Sequence, residues 1–217
     1  MPPTVFLASA SPRRQDLLRQ AGIGFVLLAP SPDEDSEALE AVNAGEAPAD
    51  YVLRVTRLKT RAARDRLRRR HPEVAPDAAC ILCADTTVAL AGTIFGKPAD
   101  AADAARILRA LSGTTHEVLT AVCVLRGEAV FEAVQVSQVR FAELAAEDVA
   151  EYVATGEPMG KAGAYAIQGR AAAFIEHVSG SPSGIVGLPL FETVHLLRAA
   201  GWHRPAFHSA LSPSPAP

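Results

Sequence analysis

The sequence predicts an α/β fold, a mixed sheet flanked by helices, and three features carry that reading. In the first half, short apolar runs of strand type are separated by stretches of helical periodicity. In the middle, alternating patterns such as Val134-Gln135-Val136-Ser137-Gln138-Val139 read as antiparallel meander. The chain has 217 residues and about half are hydrophobic, enough to bury a substantial core. The predicted element order is β-α-β-α-β-β-α-β-β-β-α-β-α, a sheet with helices packed on it.

The first strand is the run Val5-Phe6-Leu7-Ala8, followed by Ser9-Ala10-Ser11-Pro12-Arg13-Arg14. Ser11 reads as an N-cap, with Pro12 at the first helical position. Leu17, Leu18 and Ala21 then keep helical spacing, and Gly22 stands where a C′ glycine belongs. A second strand spans Gly24 to Ala29, and an acidic loop, Pro30 to Asp35, comes next.

Pro48 to about Arg70 reads as a long helix, with Tyr51, Val52, Val55, Leu58, Ala62 and Ala63 on its apolar arc. Its basic tail, Arg64 to Arg70, reads as a solvated face. The most apolar strand covers Ala78 to Ala91. A turn at Ala91-Gly92 leads to a short return strand ending at Gly96-Lys97-Pro98.

A helix starts near Asp100, with Ile107, Leu108 and Leu111 on its core face and Gly113 as its stop. Strands are expected at about 116–126, 129–135 and 136–142, and a short helix from Ala146 to Thr155. A glycine-rich loop, Gly160 to Gly169, precedes a strand from Ala173 to Val178. Gly180 to Gly184 reads as a turn-rich loop, and a last helix runs from Pro189 to Gly201. One domain is expected over residues 1–204. Residues 205–217 have the proline- and serine-rich composition of a disordered tail.

Composition narrows the function. The net charge of −3 argues against a surface that coats nucleic acid. No apolar run is long enough to span a bilayer, and the N-terminus lacks the pattern of a secretory signal, so a cytoplasmic protein is expected. Cys80 and Cys83 form a single C-x-x-C inside an apolar strand, with no second pair and no histidine at zinc-finger spacing. Buried free thiols are expected there.

Several polar residues sit where folding alone would not put them. Arg13 and Arg14 fall in the first turn of a helix, the wrong end for cations, at a cost of roughly 0.3–1 kcal/mol each. With the hydroxyls of Ser9 and Ser11 and the free N–H groups of the helix, they could hold a phosphate chain. Two arginines splayed into solvent is the plainer reading. Lys59 falls within the apolar arc of its helix, either snorkelling to water or pointing at an anion. Asp85 interrupts the most apolar strand, where a carboxylate is disfavoured unless paired or metal-bound. A lone histidine at a strand start, His116, reads as structural.

Taken together, Arg13, Arg14, Lys59, Lys97 and Lys161 with the carboxylates Glu34 and Asp85 suggest cations for a phosphate chain. The carboxylates would hold a divalent metal and activate water. There is no Walker A lysine motif, Rossmann fingerprint or kinase signature.

Six motifs, in order, resemble the Maf family of nucleoside triphosphate pyrophosphatases. They are Leu7-Ala-Ser-Ala-Ser-Pro-Arg-Arg14, Ala84-Asp-Thr-Thr-Val88, Gly96-Lys-Pro98, Leu111-Ser-Gly113, Lys161-Ala-Gly-Ala-Tyr-Ala-Ile-Gln-Gly169 and Gly187-Leu-Pro-Leu190. The resemblance runs from about residue 4 to 202. It implies an elongated, two-lobed fold akin to inosine triphosphate pyrophosphatases with a central cleft, and often a homodimer. It also implies hydrolysis of a nucleoside triphosphate to the monophosphate and pyrophosphate with a divalent cation, Mg2+ or Mn2+.

Residue by residue, Asp85 matches the family's proton acceptor. Glu34, Lys59 and Lys97 match its other catalytic charges, with Asp85 and Glu34 as metal ligands. Arg13, Thr86 and Gln168 match positions that set substrate choice, and Ser9, Ser11, Arg14 and Lys161 are the further substrate-binding candidates. Gly160 stands where an acidic residue often precedes the lysine, and Ala166 where glycine is usual. The form around Gln168 resembles the dTTP/UTP branch. A sister branch prefers 7-methyl-GTP, and a non-catalytic role in septum formation is the competing class.

Overall fold

The computed structural model describes residues 2–31, 34 and 38–203; the expected tail, 205–217, lies outside them. The sheet is built around β1 (Thr4–Leu7) and β3 (Ala79–Leu90). β1 pairs in parallel with β2 (Val26–Leu27) on one side and with β3 on the other. The rest is antiparallel: β4 (Thr93–Phe95), β5 (Thr115–Arg126), β6 (Ala129–Phe141) and β7 (Ile175–Ser179). The strand order is β2-β1-β3-β5-β6-β7, with β4 also on β3.

Where β3 lies between its partners matters most for the site. β5 pairs with it from Ile81 to Ala89. On the other edge β1 reaches only Leu82, where Ala8 N donates to Leu82 O at 2.9 Å, and β4 begins opposite Val88. Among the described residues, no strand pairs with that edge over residues 83–87. A gap opens there at the C-terminal end of β1, where α1 (Pro12–Gln20) starts.

α2 (Pro48–Arg70) covers one face of the sheet, packing Val52, Val55, Ala63 and Leu67 onto Ile81, Cys83, Ala89, Leu119 and Ala121. α1 and α6 (Leu190–Ala199) cover the other, with Leu17, Leu18 and Leu197 against Val5, Leu7, Leu82 and Val124. β3 is therefore buried on both sides, which is why it reads as a continuous apolar run. α3 (Ala101–Leu111) and α4 (Ala146–Ala154) close the far end over Val118, Val139 and Phe141. Each such fully buried aliphatic side chain contributes roughly 1.5–3 kcal/mol.

Local chemistry follows the expected punctuation. α1 ends in a Schellman motif: Ile23 N donates to Leu18 O and Gly22 N to Arg19 O, both at 2.9 Å, with Gly22 at φ +66°. Asp100 caps α3 by accepting from Asp103 N at 2.8 Å.

Four expectations are corrected. The two strands expected at 129–135 and 136–142 are one strand, β6, because no turn residue interrupts the alternation between them. The turn-rich loop at 180–184 includes the start of a short helix, α5 (Pro182–Val186), capped by Ser181 Oγ, which accepts from Gly184 N at 3.0 Å. Ser11 occupies the N-cap position of α1, but its hydroxyl makes no capping bond. Arg66, expected in a solvated basic tail, is 3% exposed.

Cys80, Cys83 and Cys123 are buried free thiols, and burial pushes Cys80 up to about 11 and Cys83 to about 12. His116 is structural. It is 1% exposed, 2.9 Å from Tyr165 Oη through Nε2, and edge-on to the Phe141 ring at 5.0 Å. Its Nδ1 has no hydrogen-bond partner among the described residues.

Burial lowers the His116 pKa from 6.5 to about 4. The folded protein thus keeps this imidazole neutral while the unfolded chain takes up a proton near pH 6.5. The stability contributed by a neutral His116 is intact above pH 6.5 and is lost as pH falls toward 4, by up to about 3 kcal/mol. Thermal unfolding across pH 4–7 should show that slope in the wild type and a shallower one in His116→Gln; equal slopes would assign the acid sensitivity to other groups.

Candidate active site

The gap beside β3 opens into a cleft of ≈ 650 Å³, and every site residue nominated from the sequence lines it. β3 supplies Asp85 and Thr86, whose side chains leave opposite faces of the strand. Asp85 turns toward α2, and Thr86 toward α1 and α5.

On the α2 side, charges of alternate sign form a chain. Lys59 Nζ donates to Asp85 Oδ1 at 2.5 Å and to Glu40 Oε1 at 2.7 Å. Lys97 Nζ donates to the same Glu40, 3.1 Å from Oε1 and 3.0 Å from Oε2. Lys59 therefore points inward, as its place on the helical arc allowed. Burial opposes the Glu40 charge, but Lys59 and Lys97 outweigh it and hold its carboxyl below the usual range. Tyr51 Oη donates to Glu40 O at 2.9 Å, and burial, with Asp85 and Glu40 nearby, pushes its pKa up to about 12.

Glu40 was not anticipated. It lies in a 3-10 turn (Ala38–Glu40) with no periodicity to aim it inward. Glu34 lines the cleft, but its carboxylate is gripped by Arg66, whose Nε lies 3.0 and 3.1 Å from its two oxygens and whose Nη2 also donates to it. Arg66 Nη1 donates to Leu28 O at 2.9 Å. The Arg66 hydrogen bonds bring Glu34 down to about 2. Arg66 was legible: Lys59, Ala63 and Arg66 succeed one another at helical spacing along the inner face of α2.

The arginines of α1 divide the work. Arg14 is a pin between elements: its Nε donates to Gly187 O at 2.7 Å and its Nη1 to Ser9 Oγ at 3.2 Å, while Nη2 lies 3.5 Å from Thr86 Oγ1. Burial lowers its pKa, with Asp85 pulling the other way. Arg13 lines the cleft with no hydrogen-bond or ion-pair partner among the described residues, so its guanidinium is available to a ligand. Ser9 Oγ also accepts from Ser11 N at 3.2 Å, which leaves the Ser11 hydroxyl beside the cleft.

The glycine-rich loop forms the facing wall. Gly163 has φ +71°, and a Cβ there would lie 2.6 Å from Val88 Cγ2, so only glycine lets the loop close on β3. Gly163 N donates to Gly96 O at 3.1 Å. Lys161 Nζ donates to Glu157 O and, at 3.4 Å, to Met159 O. Burial and then the charge of Arg13 lower its pKa. Gln168 is exposed at the rim, and its amide has no hydrogen-bond partner among the described residues.

Among the described residues, no group of three or more His, Cys, Asp or Glu side chains forms a metal cage. Asp85 and Glu40 both meet Lys59 Nζ, and two neighbouring carboxylates suit an ion that takes its other ligands from water and phosphate. The donor set therefore fits a divalent cation.

The site has the makings of anhydride hydrolysis: cations and a helix N-terminus for phosphates, and a carboxylate able to orient water. The family described as Maf-like protein matches residues 4–200. A Polaromonas sp. relative named dTTP/UTP pyrophosphatase is 60% identical over 197 residues, 91% of this chain and 96% of its own. A relative from Burkholderia pseudomallei with the same name is 60% identical over 200 residues, 91% and 94% of the two chains. Another with that name, from Ralstonia nicotianae, is 59% identical over 199 residues, again 91% and 94%. This chain belongs to the Maf family.

Proposed function

We propose that this protein is a dTTP/UTP pyrophosphatase that hydrolyses its substrate to the nucleoside monophosphate and pyrophosphate. One observation carries the reading. Relatives so named match at 56–60% identity over about nine-tenths of the chain, and this chain's cleft holds the Asp85–Lys59–Glu40–Lys97 charge chain. Neither the 7-methyl-GTP reading nor the non-catalytic one has such support.

Water attacks the α-phosphorus, the bond from that phosphorus to the bridging oxygen breaks, and pyrophosphate leaves. Asp85 orients the water and accepts its proton. Lys59 holds Asp85 in place. Arg13, Lys97 and the N-terminus of α1 receive the phosphate chain, and Ser9, Ser11, Arg14 and Lys161 shape its bed. Asp85 and Glu40 would hold Mg2+ or Mn2+, whose chemistry is to neutralise phosphate charge; Glu34, nominated from the sequence, would join them only by leaving Arg66. Gln168 offers one donor and one acceptor, which match the carbonyl and N3–H of thymine or uracil.

The reading extends to a single catalytic unit over residues 1–204 that acts in the cytoplasm on a small-molecule nucleotide and pairs as a homodimer. Among the described residues no helix is long and apolar enough to cross a membrane, and the three cysteines are free. Exposed Phe191 and Val130 leave apolar surface for a second copy.

Asp85→Asn keeps the side-chain shape and removes the charge. It should lower turnover of dTTP at least ~100-fold with the circular dichroism spectrum unchanged; near-normal turnover would remove Asp85 from the chemistry. Wild type should favour dTTP and UTP over CTP and 7-methyl-GTP in kcat/KM. Gln168→Glu removes the amide donors and should alter that ranking, with each mismatched polar group worth about 1–3 kcal/mol. A wild-type preference for 7-methyl-GTP would refute the substrate assignment, and an unchanged ranking in the variant would free Gln168 from base reading.

A further inference from the structure

Thr120 lies on β5 directly opposite Thr86 and is completely buried. Its hydroxyl is 2.8 Å from Gly184 O and 2.9 Å from the Thr86 hydroxyl. A carbonyl oxygen only accepts, so the single hydroxyl proton of Thr120 points at Gly184. Thr120 has no second proton to give, and the Thr86 hydroxyl must therefore donate to Thr120. At the other end, Arg14 Nη2 faces Thr86 Oγ1 at 3.5 Å, and a guanidinium only donates. The proton order runs one way: Arg14 to Thr86, Thr86 to Thr120, Thr120 to the Gly184 carbonyl.

The ends of this chain are held firmly. Gly184 and Gly187 belong to α5 and its C-cap, and the Gly187 carbonyl takes Arg14 Nε. Ser181 N, at the N-cap of α5, donates to Ser137 Oγ of β6 at 2.9 Å, which ties the segment to the sheet. Thr86 lines the cleft with its proton spent on Thr120. What it can offer a ligand is a lone pair and nothing else.

We propose that Thr120 is a positioning residue for substrate choice: it fixes the Thr86 hydroxyl as an acceptor toward the cleft, where it selects a base that carries an N–H at ring position 3. The inference rests on the dTTP/UTP reading and deepens it. Thymine and uracil present N3–H. Cytosine presents a bare N3, and two facing acceptors leave both unpaired and repelling. Phosphate oxygens are acceptors as well, so a hydroxyl set in this sense is of no use to the triphosphate. Gln168 would read the neighbouring carbonyl from the facing wall.

The test compares kcat/KM for UTP, CTP and 3′-deoxy-UTP in wild type, Thr120→Val, Thr120→Ser, Thr86→Val and the Thr120→Val/Thr86→Val double variant. Thr120→Val frees the Thr86 proton and should cut the UTP-to-CTP ratio at least about tenfold. Thr120→Ser keeps the hydroxyl and should keep the wild-type ratio. Thr86→Val should lose the ratio to a similar extent, and the double variant should fall no further than either single one.

An unchanged ratio in Thr120→Val, or an equal fall in Thr120→Ser, would overturn the proposal. So would lost discrimination against 3′-deoxy-UTP in place of CTP, which would assign Thr86 to a sugar hydroxyl. If circular dichroism shows Thr120→Val unfolded, Thr120→Ala, which also lacks a hydroxyl, replaces it with the same expected fall. Wild type that does not favour UTP over CTP would overturn the substrate reading itself, a result separate from the variants.

Discussion

β3 is paired along its whole functional length on one edge and left open on the other, and the site depends on that asymmetry. β5 holds residues 81–89 in register. β1 stops at Leu82, and β4 starts at Val88. The strand is thereby as rigid as a central strand, yet it presents a bare edge to the cleft. Parallel and antiparallel pairing change over at this point, and α1 begins there with its free N–H groups. Crevices at such changes of strand connectivity are where α/β sheets bind ligands.

A carboxylate on that strand would be expensive by itself. Asp85 is 7% exposed, and an isolated buried charge costs far more than one side chain contributes by packing. Lys59 answers it, Glu40 answers Lys59, and Lys97 answers Glu40. Across this chain two ammonium groups meet two carboxylates, so it adds little net field to the cleft. The excess positive charge comes from Arg13, Arg14 and Lys161 together with the helix end. Lys59 thus serves the two carboxylates, Arg13, Arg14 and Lys161 would draw in a polyanion, and Lys97 stands between the two tasks.

Most of this organisation could be read from the chain because it rests on periodicity. The phase of α2 placed Lys59 inward, and the apolar run around Asp85 singled that residue out. Gly22 ended α1 where the pattern stopped. What escaped had no period to betray it. Glu40 sits in a short turn, and only tertiary packing brings it to Lys59. Arg66 did have the right phase, but its place in a run of arginines made it look solvated; the pairing with Glu34 reverses that. The split of strand 129–141 into two was an error of length, since alternation continued with no turn residue to break it. The partnership of Thr86 with Thr120 was beyond reach, because strand register is a property of the whole sheet.

Register also explains how chemistry and recognition are combined. Asp85 and Thr86 are consecutive, and the pleat sends them to opposite faces. One faces α2 and the charges that would serve hydrolysis. The other faces α1 and α5, where a chain of hydroxyls and carbonyls would read polarity. Their separation is set by a single peptide unit within a strand that β5 holds in place. A shift of one residue that brought Asp85 opposite Thr120 would leave Ala84 facing Lys59. The carbonyl of Gly184 would then face, through Thr120, a group with no proton to pass on, while Lys59 and Glu40 would lose the carboxylate between β3 and α2. The same backbone hydrogen bonds that hold the sheet together keep these two side chains on their proper sides of the cleft.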